Sequence, residues 1–145
     1  MGYPSENDEL AIIRRRKSDD PMSLITPKAG KDEILFIRAA AESVTVSEQV
    51  LEYIVALVRQ TRTIPELSLG ASPRASLALM RLSRAMAVIN GRDYVVPSDV
   101  SALFIDAVAH RVILSREARG KGLTPEDVLK DVLSKTKVPF IETKK

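Results

Sequence analysis

A helix is predicted to begin within the stretch Gly70-Ala71-Ser72-Pro73-Arg74-Ala75. Ser72 is a favoured N-cap residue, and Pro73 suits the first helical position, where no amide hydrogen bond is lost. Arg74 then lies in the first turn, where free backbone N–H groups and the helix macrodipole already favour an anion. An arginine there adds charge and bidentate geometry. The stretch therefore predicts either a phosphate contact or a well-capped helix with a solvated arginine.

Outward from this point, capping signals and apolar periodicity predict an all-α fold of about six helices. Ser5 followed by Asp8 resembles a capping box, Thr124-Pro125 is a strong helix start, and Gly91 favours a left-handed stop. The residues Tyr94-Val95-Val96 could pair with Val44-Thr45-Val46 as a tiny two-stranded element. The predicted helices span about residues 6–16, 31–43, 48–61, 73–90, 97–111 and 125–133. Their predicted apolar faces include Ile34, Leu35, Ile37, Arg38 and Ala41 on the second, Val50, Leu51, Ile54, Val55, Leu57 and Val58 on the third, and Ala75, Leu79, Leu82, Met86 and Ile89 on the fourth.

The remaining segments are predicted to be connections and ends. Residues 17–31 contain Pro21, Pro27 and Gly30 and are expected to form a flexible loop, while residues 135–145 carry four lysines and are expected to form a basic tail. The helical domain itself is expected to span residues 5–134.

The composition excludes several classes of protein. The 145 residues include no cysteine and one histidine, His110, which excludes disulfide frameworks, thiol nucleophiles and His-rich zinc sites. The net charge of +3 permits an acidic partner without requiring one. The polar, acidic N-terminal residues do not resemble a signal peptide and no apolar run is long enough to span a membrane, so the expected location is the cytoplasm.

No catalytic or metal-binding constellation is visible in the sequence. None of the 6 glycines lies in a phosphate-binding loop of the Walker A type, and no apolar run ends in the adjacent acids of a Walker B segment. We therefore expect no catalytic residue, no metal site and no bound cofactor in this chain alone. His110 is expected to be packed, to act in capping or to form a buried hydrogen bond.

The charge of the predicted fourth helix is unusual. No acidic residue occurs between Glu66 and Asp93, although that interval contains four arginines, Arg74, Arg81, Arg84 and Arg92. At 100 degrees per residue, Arg81 projects about 20 degrees and Arg84 about 80 degrees from Arg74. Such a helix lacks the acid partners that normally stabilise an exposed face. Arg81, Arg84 and Arg92 are therefore candidates for an interface with an anion or an acidic domain, the alternative being a solvated face.

Several separated motifs together resemble one family. They are Gly70 through Ala75, Gly91-Arg92-Asp93-Tyr94-Val95 with Pro97-Ser98-Asp99-Val100, His110-Arg111 with Ile113-Leu114-Ser115, and Gly122 through Val128. In this combination they resemble the C-terminal lid of a MoxR-type AAA+ ATPase. The N-terminal Gly2-Tyr3-Pro4-Ser5 resembles the hinge at which such proteins leave the nucleotide-binding core, so residues 1–4 would be a hinge remnant.

The resemblance implies a role for specific residues. It implies that Arg74 is the second sensor, which reaches the γ-phosphate of ATP held with Mg²⁺ by the core of the intact parent, and it leaves Tyr3 a candidate neighbour of the adenine. The chain would then be an excised lid whose parent is an ATPase. The implied partners are the AAA+ core, neighbouring ring subunits and von Willebrand A domain proteins. The implied function is chaperone-like assembly or activation of partner proteins.

A second hypothesis comes from a different class. A small basic helical domain could bind DNA through Arg81, Arg84 and Arg92 on the fourth helix. No base-reading Asn or Gln lies beside these arginines, which argues against this alternative.

Overall fold

The computed structural model describes residues 4–15, 22 and 25–140. The chain divides into two compact units, Met1–Ile34 and Leu35–Lys145. The predicted all-α class is confirmed. The helices are α1 (Glu6–Arg15), α2 (Lys31–Ser43), α3 (Glu48–Gln60), α4 (Pro73–Ile89), α5 (Pro97–Val108), α6 (Arg116–Gly120) and α7 (Pro125–Lys135).

The first unit contains α1 and the start of α2. The predicted capping box at α1 is present: the Ser5 hydroxyl lies 2.6 Å from the Asp8 carboxylate, and the Asp8 N–H donates to the Ser5 oxygen at 3.3 Å. No described residue of α1 is buried. A cap and an acidic first turn, rather than a buried face, therefore support this helix.

The second unit is built around α3, α4, α5 and α7. Helix α4 packs against both α3 and α5, and α5 also packs against α7. The predicted stripe on α3 is confirmed for Val50, Ile54, Leu57 and Val58, whereas Val55 is 46% exposed. The largest fully buried side chains are Phe104, Ile54, Leu57, Leu79 and Leu129, so the core is chiefly aliphatic.

The inner face of α4 agrees with the predicted one only in part. Ala75 and Leu79 are buried as expected, whereas Leu82 and Ile89 are 43% and 78% exposed. The buried positions are spaced four residues apart and are mostly small: Ala75, Leu79, Ser83 and Ala87. Small side chains suit close packing of helices, and this row, rather than the neighbouring row of larger residues, packs against α3 and α5.

The apolar face predicted on α2 is not buried. None of the described α2 residues is buried, and Leu35, Phe36 and Ile37 are 47%, 74% and 52% exposed. The helical period was therefore predicted correctly, but the inward orientation was not.

Short elements also depart from expectation. The two-stranded sheet is formed by β1 (Leu67–Leu69) and β2 (Ile113–Leu114), which are antiparallel with Leu67 opposite Leu114. The pairing predicted between residues 44–46 and 94–96 is present only as a single parallel bridge between Thr45 and Tyr94. Helix α6, capped by Ser115, was not predicted, because its five residues run into Gly120-Lys121-Gly122.

The corner between α4 and α5 is fixed by a helix stop and an ion pair. Gly91 has φ of 68°, and the N–H of Arg92 donates to the carbonyl of Ala87 at 2.8 Å, as in a Schellman motif. The guanidinium of Arg92 then binds both carboxylate oxygens of Asp99, at 2.9 and 2.6 Å. This pair joins the end of α4 to the first turn of α5.

Asp99 also forms the acidic half of a capping box with the N-cap residue Val96, whose own side chain has no acceptor atom. Its carboxylate accepts a hydrogen bond from the Val96 N–H at 3.0 Å. Burial alone would raise the pKa of the Asp99 carboxyl, but the hydrogen bonds from Arg92 and Val96, with the charge of Arg92, hold its pKa below the ordinary value. The ionised form of Asp99 is thus bound more tightly in the folded chain than in the unfolded one.

Among the helices of the described residues, none combines the length and the apolar character that crossing a bilayer requires.

We expect Asp99→Asn to lower the free energy of unfolding by about 2–3 kcal/mol at neutral pH, because Arg92 loses its buried carboxylate partner. Urea denaturation followed by circular dichroism measures this. Asp131→Asn, which removes an exposed ion pair with Lys135, is the control and should cost at most about 0.5 kcal/mol.

The contribution of Asp99 to the free energy of unfolding depends on pH in a defined direction. Because folding lowers the pKa of Asp99, its stabilisation is complete above the unfolded carboxyl pKa of about 3.9 and is lost as the pH falls through the lower folded value. The stability difference between wild type and Asp99→Asn should therefore shrink in that acid range. A difference that stays constant into strong acid would contradict this account.

Candidate functional site

The segment that precedes α4 adopts the predicted helix start. Ser72 has the extended backbone of an N-cap residue, with φ of −78° and ψ of 167°, and Pro73 opens the helix. The hydroxyl of Ser72 makes no capping hydrogen bond, so that part of the expectation is wrong. The first turn of α4 contains no acidic residue. The positive end of this helix is therefore not neutralised by its own side chains.

A hydrogen-bonded clamp, formed by Thr61, Arg62 and Ala71, holds this segment against the end of α3. The hydroxyl of Thr61 accepts from the Ala71 N–H at 2.9 Å and donates to the Val58 carbonyl at 2.6 Å. The Arg62 Nε donates to the Ala71 carbonyl at 2.7 Å. Thr61 is fully buried, and Ala71 is only 1% exposed. Both backbone polar groups of Ala71 are therefore satisfied in the interior.

Gly70 lets the two backbones approach. A β-carbon at this position would overlap the carbonyl group of Thr61 and lie 2.8 Å from the Arg62 Cα. No side chain fits there, so glycine is required by space and not by a left-handed backbone. Sequence reasoning identified Gly70 as a breaker but missed Thr61 and Arg62, since nothing in their local pattern indicates a partner nine or ten residues away.

Arg74 is exposed at the second position of α4. Within residues 4–15, 22 and 25–140, its side chain makes no hydrogen bond or ion pair. The helix start thus fixes the backbone of Arg74, while the five donors of its exposed guanidinium remain available. An anion placed beyond this end of α4 would meet both the helix dipole and the arginine.

The other predicted interface arginines do not form one group with Arg74. Arg81 and Arg84 line a depression together with Arg38 and Glu42 from α2. Arg92 lies apart from it, and its guanidinium is engaged with Asp99 and with the carbonyl of Tyr94.

The remaining candidates are placed as follows. His110 is exposed in a 3-10 turn at Ala109–Arg111 and has no hydrogen-bond partner in the part of the chain that the structure describes, so the expected packing is absent. Tyr3 lies outside the described residues. Among those residues, no group of three or more acidic or histidine side chains could hold a metal ion.

Comparison with known proteins gives consistent matches. The sequence pattern of the AAA lid domain family matches residues 59–132, from the end of α3 into α7. Chaperone MoxR1 of Mycobacterium tuberculosis is 32% identical over 97% of this chain and 39% of its own length. The uncharacterised protein YeaC of Bacillus subtilis is 36% identical over 96% of this chain and 43% of its own length.

A solved structure has the same fold. A provisionally assigned ATPase from Cytophaga hutchinsonii superposes with a TM-score of 0.79 at 30% identity, over 97% of this chain and 45% of that one. The chain therefore spans less than half the length of these three proteins.

We expect Gly70→Ala to lower the free energy of unfolding by at least about 2 kcal/mol, because its methyl group has to displace the backbone of α3. Gly120→Ala is the matched control, since a β-carbon there would meet nothing within 4 Å. Chemical denaturation compares the two. Equal stability of both variants would show that the close approach at Gly70 is not needed.

Two buried hydroxyls provide a second test of the clamp. Thr61 and Ser83 are both 0% exposed, but within the described chain the Ser83 hydroxyl has no hydrogen-bond partner. We expect Thr61→Val to cost about 1–3 kcal/mol, because the Ala71 N–H loses its acceptor, and Ser83→Ala to be neutral or stabilising. Thermal unfolding measures both changes, and an equal loss from each substitution would refute the clamp.

Proposed function

The chain belongs to the AAA lid domain family, as the lid of a MoxR-type AAA+ ATPase, and from that premise we propose that Arg74 senses the γ-phosphate of ATP. The nucleotide and its Mg²⁺ would be held by a core domain that contains the Walker segments. The lid would then supply one cation to a site whose other parts lie on the core. Alone, this chain is a binding module, and its parent is an ATPase.

The observation that carries the proposal is the state of Arg74. It is exposed, unpaired among the described residues and fixed at a helix start whose first turn has no acid. This combination favours the binding of phosphate oxygens, because backbone N–H groups, the helix dipole and a guanidinium all attract negative charge. The Thr61 clamp supports the geometry by tying the residues before α4 to α3.

The proposed chemistry requires only binding and release by this chain. Hydrolysis in the core removes the γ-phosphate and so removes the partner of Arg74. The difference in contacts between ATP and ADP states would shift the preferred orientation of the lid. That shift is how hydrolysis would be passed on to other proteins.

The proposed partners follow from the family and from the relative named a chaperone. They are the AAA+ core of the parent, neighbouring ring subunits and von Willebrand A domain proteins, which the assembly would remodel or activate in the cytoplasm. In domain terms, residues 1–4 would form the hinge, residues 5–134 the lid and residues 135–145 a basic tail. Tyr3 remains a predicted neighbour of the adenine.

Two observations argue against the DNA-binding alternative. Arg92 is engaged with Asp99, and the carboxylate of Glu42 lines the same depression as Arg81 and Arg84. A carboxylate in the contact surface repels the phosphates that such a surface must neutralise.

The test joins the lid to its core domain and changes Arg74→Ala. Charge-assisted hydrogen bonds contribute about 1.5–3 kcal/mol, so we expect ATP affinity or ATP turnover to fall about 10- to 150-fold while ADP affinity stays within about twofold. Nucleotide titration and steady-state hydrolysis measure these. Arg119→Ala, an exposed arginine on α6, is the control. Unchanged ATP binding and turnover in Arg74→Ala would sink the sensor role.

A further inference from the structure

A positively charged depression lies within the second unit, where the C-terminal half of α2 and the middle of α4 contribute its walls. Its lining consists of Arg38, Ala41, Glu42, Met80, Arg81 and Arg84. Three guanidinium groups therefore share one concave surface with a single carboxylate. Arg74 is not part of this lining, so the depression is independent of the sensor role of that residue.

The three arginines of the depression have no acidic partner in the described chain. The ion pairs of the described residues lie elsewhere and join Arg92 with Asp99 and Lys135 with Asp131. Glu42 stands four residues from Arg38 on α2, yet the two form no ion pair. Three cations that line one depression with a single unpaired carboxylate leave an excess of positive charge there, and an anion entering the depression would offset it.

Arg84 is a cation without an acceptor or an acidic partner among the described residues. The residue is half-buried, and its Nε is inaccessible to solvent with no hydrogen-bond partner among the described residues. A desolvated donor without an acceptor is unfavourable, and such groups normally have partners in native proteins. A carboxylate in the depression would supply counter-charge to the Arg84 guanidinium, although it would reach the solvent-inaccessible Nε only if the side chain moved.

We propose that this depression docks an acidic segment of a partner protein. Arg81 and Arg84 are three residues apart on α4, a spacing that places their Cβ atoms about 5–6 Å apart. That separation matches carboxylates spaced three or four residues along a partner helix. Met80 and Ala41 contribute an apolar part of the lining, which suits the aliphatic side chains of a polypeptide better than a phosphodiester backbone.

Glu42 adds selectivity. Its carboxylate disfavours a uniform polyanion and favours a segment whose negative charges are spaced. Removing this charge should strengthen the binding of any acidic ligand, whereas removing the arginines should weaken it. Because net charge alone predicts the same two directions, a built site is distinguished by a larger loss of binding here than at an equally charged pair of arginines outside the depression.

The test measures binding of a labelled helical peptide of glutamate, alanine and leucine, with a glutamine-for-glutamate peptide as the reference probe. We expect the acidic peptide to bind and the reference not to bind. The double variant Arg81→Met/Arg84→Met, which keeps the apolar stems, should bind about tenfold more weakly, and Glu42→Gln a few-fold more tightly. Fluorescence anisotropy at low and physiological salt gives the constants.

A matched control is available on α6. Arg116 and Arg119 are also three residues apart and exposed, but they do not line the depression. The double variant Arg116→Met/Arg119→Met has the same net charge as the test variant and should bind within about twofold of wild type. Circular dichroism establishes that all variants fold, and Arg81→Met alone, which leaves Arg84 intact, should still weaken binding.

Three results would overturn the proposal. Equal weakening by the α6 variant and the α4 variant would show non-specific attraction. Duplex DNA bound more tightly than the acidic peptide, with dependence on Arg81 and Arg84, would make the surface a nucleic-acid site. Self-association of the wild-type chain that is abolished by the α4 variant would make it an interface between copies.

Discussion

The hydrogen bond between the buried hydroxyl of Thr61 and the N–H of Ala71 is the constraint on which the candidate site depends. It joins the end of α3 to the residues before α4, and the Arg62 guanidinium binds the carbonyl of the same Ala71. Gly70 permits this approach because it has no side chain. If this junction moved, the start of α4 and the guanidinium on its second residue would move with it.

The arginines of this region fall into two physical classes. Arg92 is neutralised by Asp99, a buried carboxylate that also caps α5, so its charge contributes to the fold. Arg74, Arg81 and Arg84 have no such partner in the described chain, although α4 could have carried acids on the same face. Unpaired cations on a helix lack the stabilisation that acidic neighbours three or four residues away would give, and their charge remains available to another molecule. This contrast is the electrostatic basis for both proposals.

Local chemistry predicted the helix ends well. The box at Ser5–Asp8, the helix start at Thr124-Pro125 and the stop at Gly91 need only residues within one turn of each other, and all three are present. Elements that depend on distant partners were missed or misplaced. Strands β1 and β2 are two or three residues long and far apart in the chain, so neither shows an alternation that the sequence could reveal.

The sequence by itself determined the helical class, most helix boundaries and the place of Arg74 in the first turn of α4, because capping and periodicity are local properties of the chain. Only the tertiary structure decided that α4 buries Ser83 and Ala87 beside the expected Ala75 and Leu79 and exposes Leu82, because burial depends on which face the neighbouring helices cover. The tertiary structure also separates Arg92 from Arg81, and it places Arg38 and Glu42 in the same depression as Arg81. Charges act through space, and the sequence does not specify which of them become neighbours.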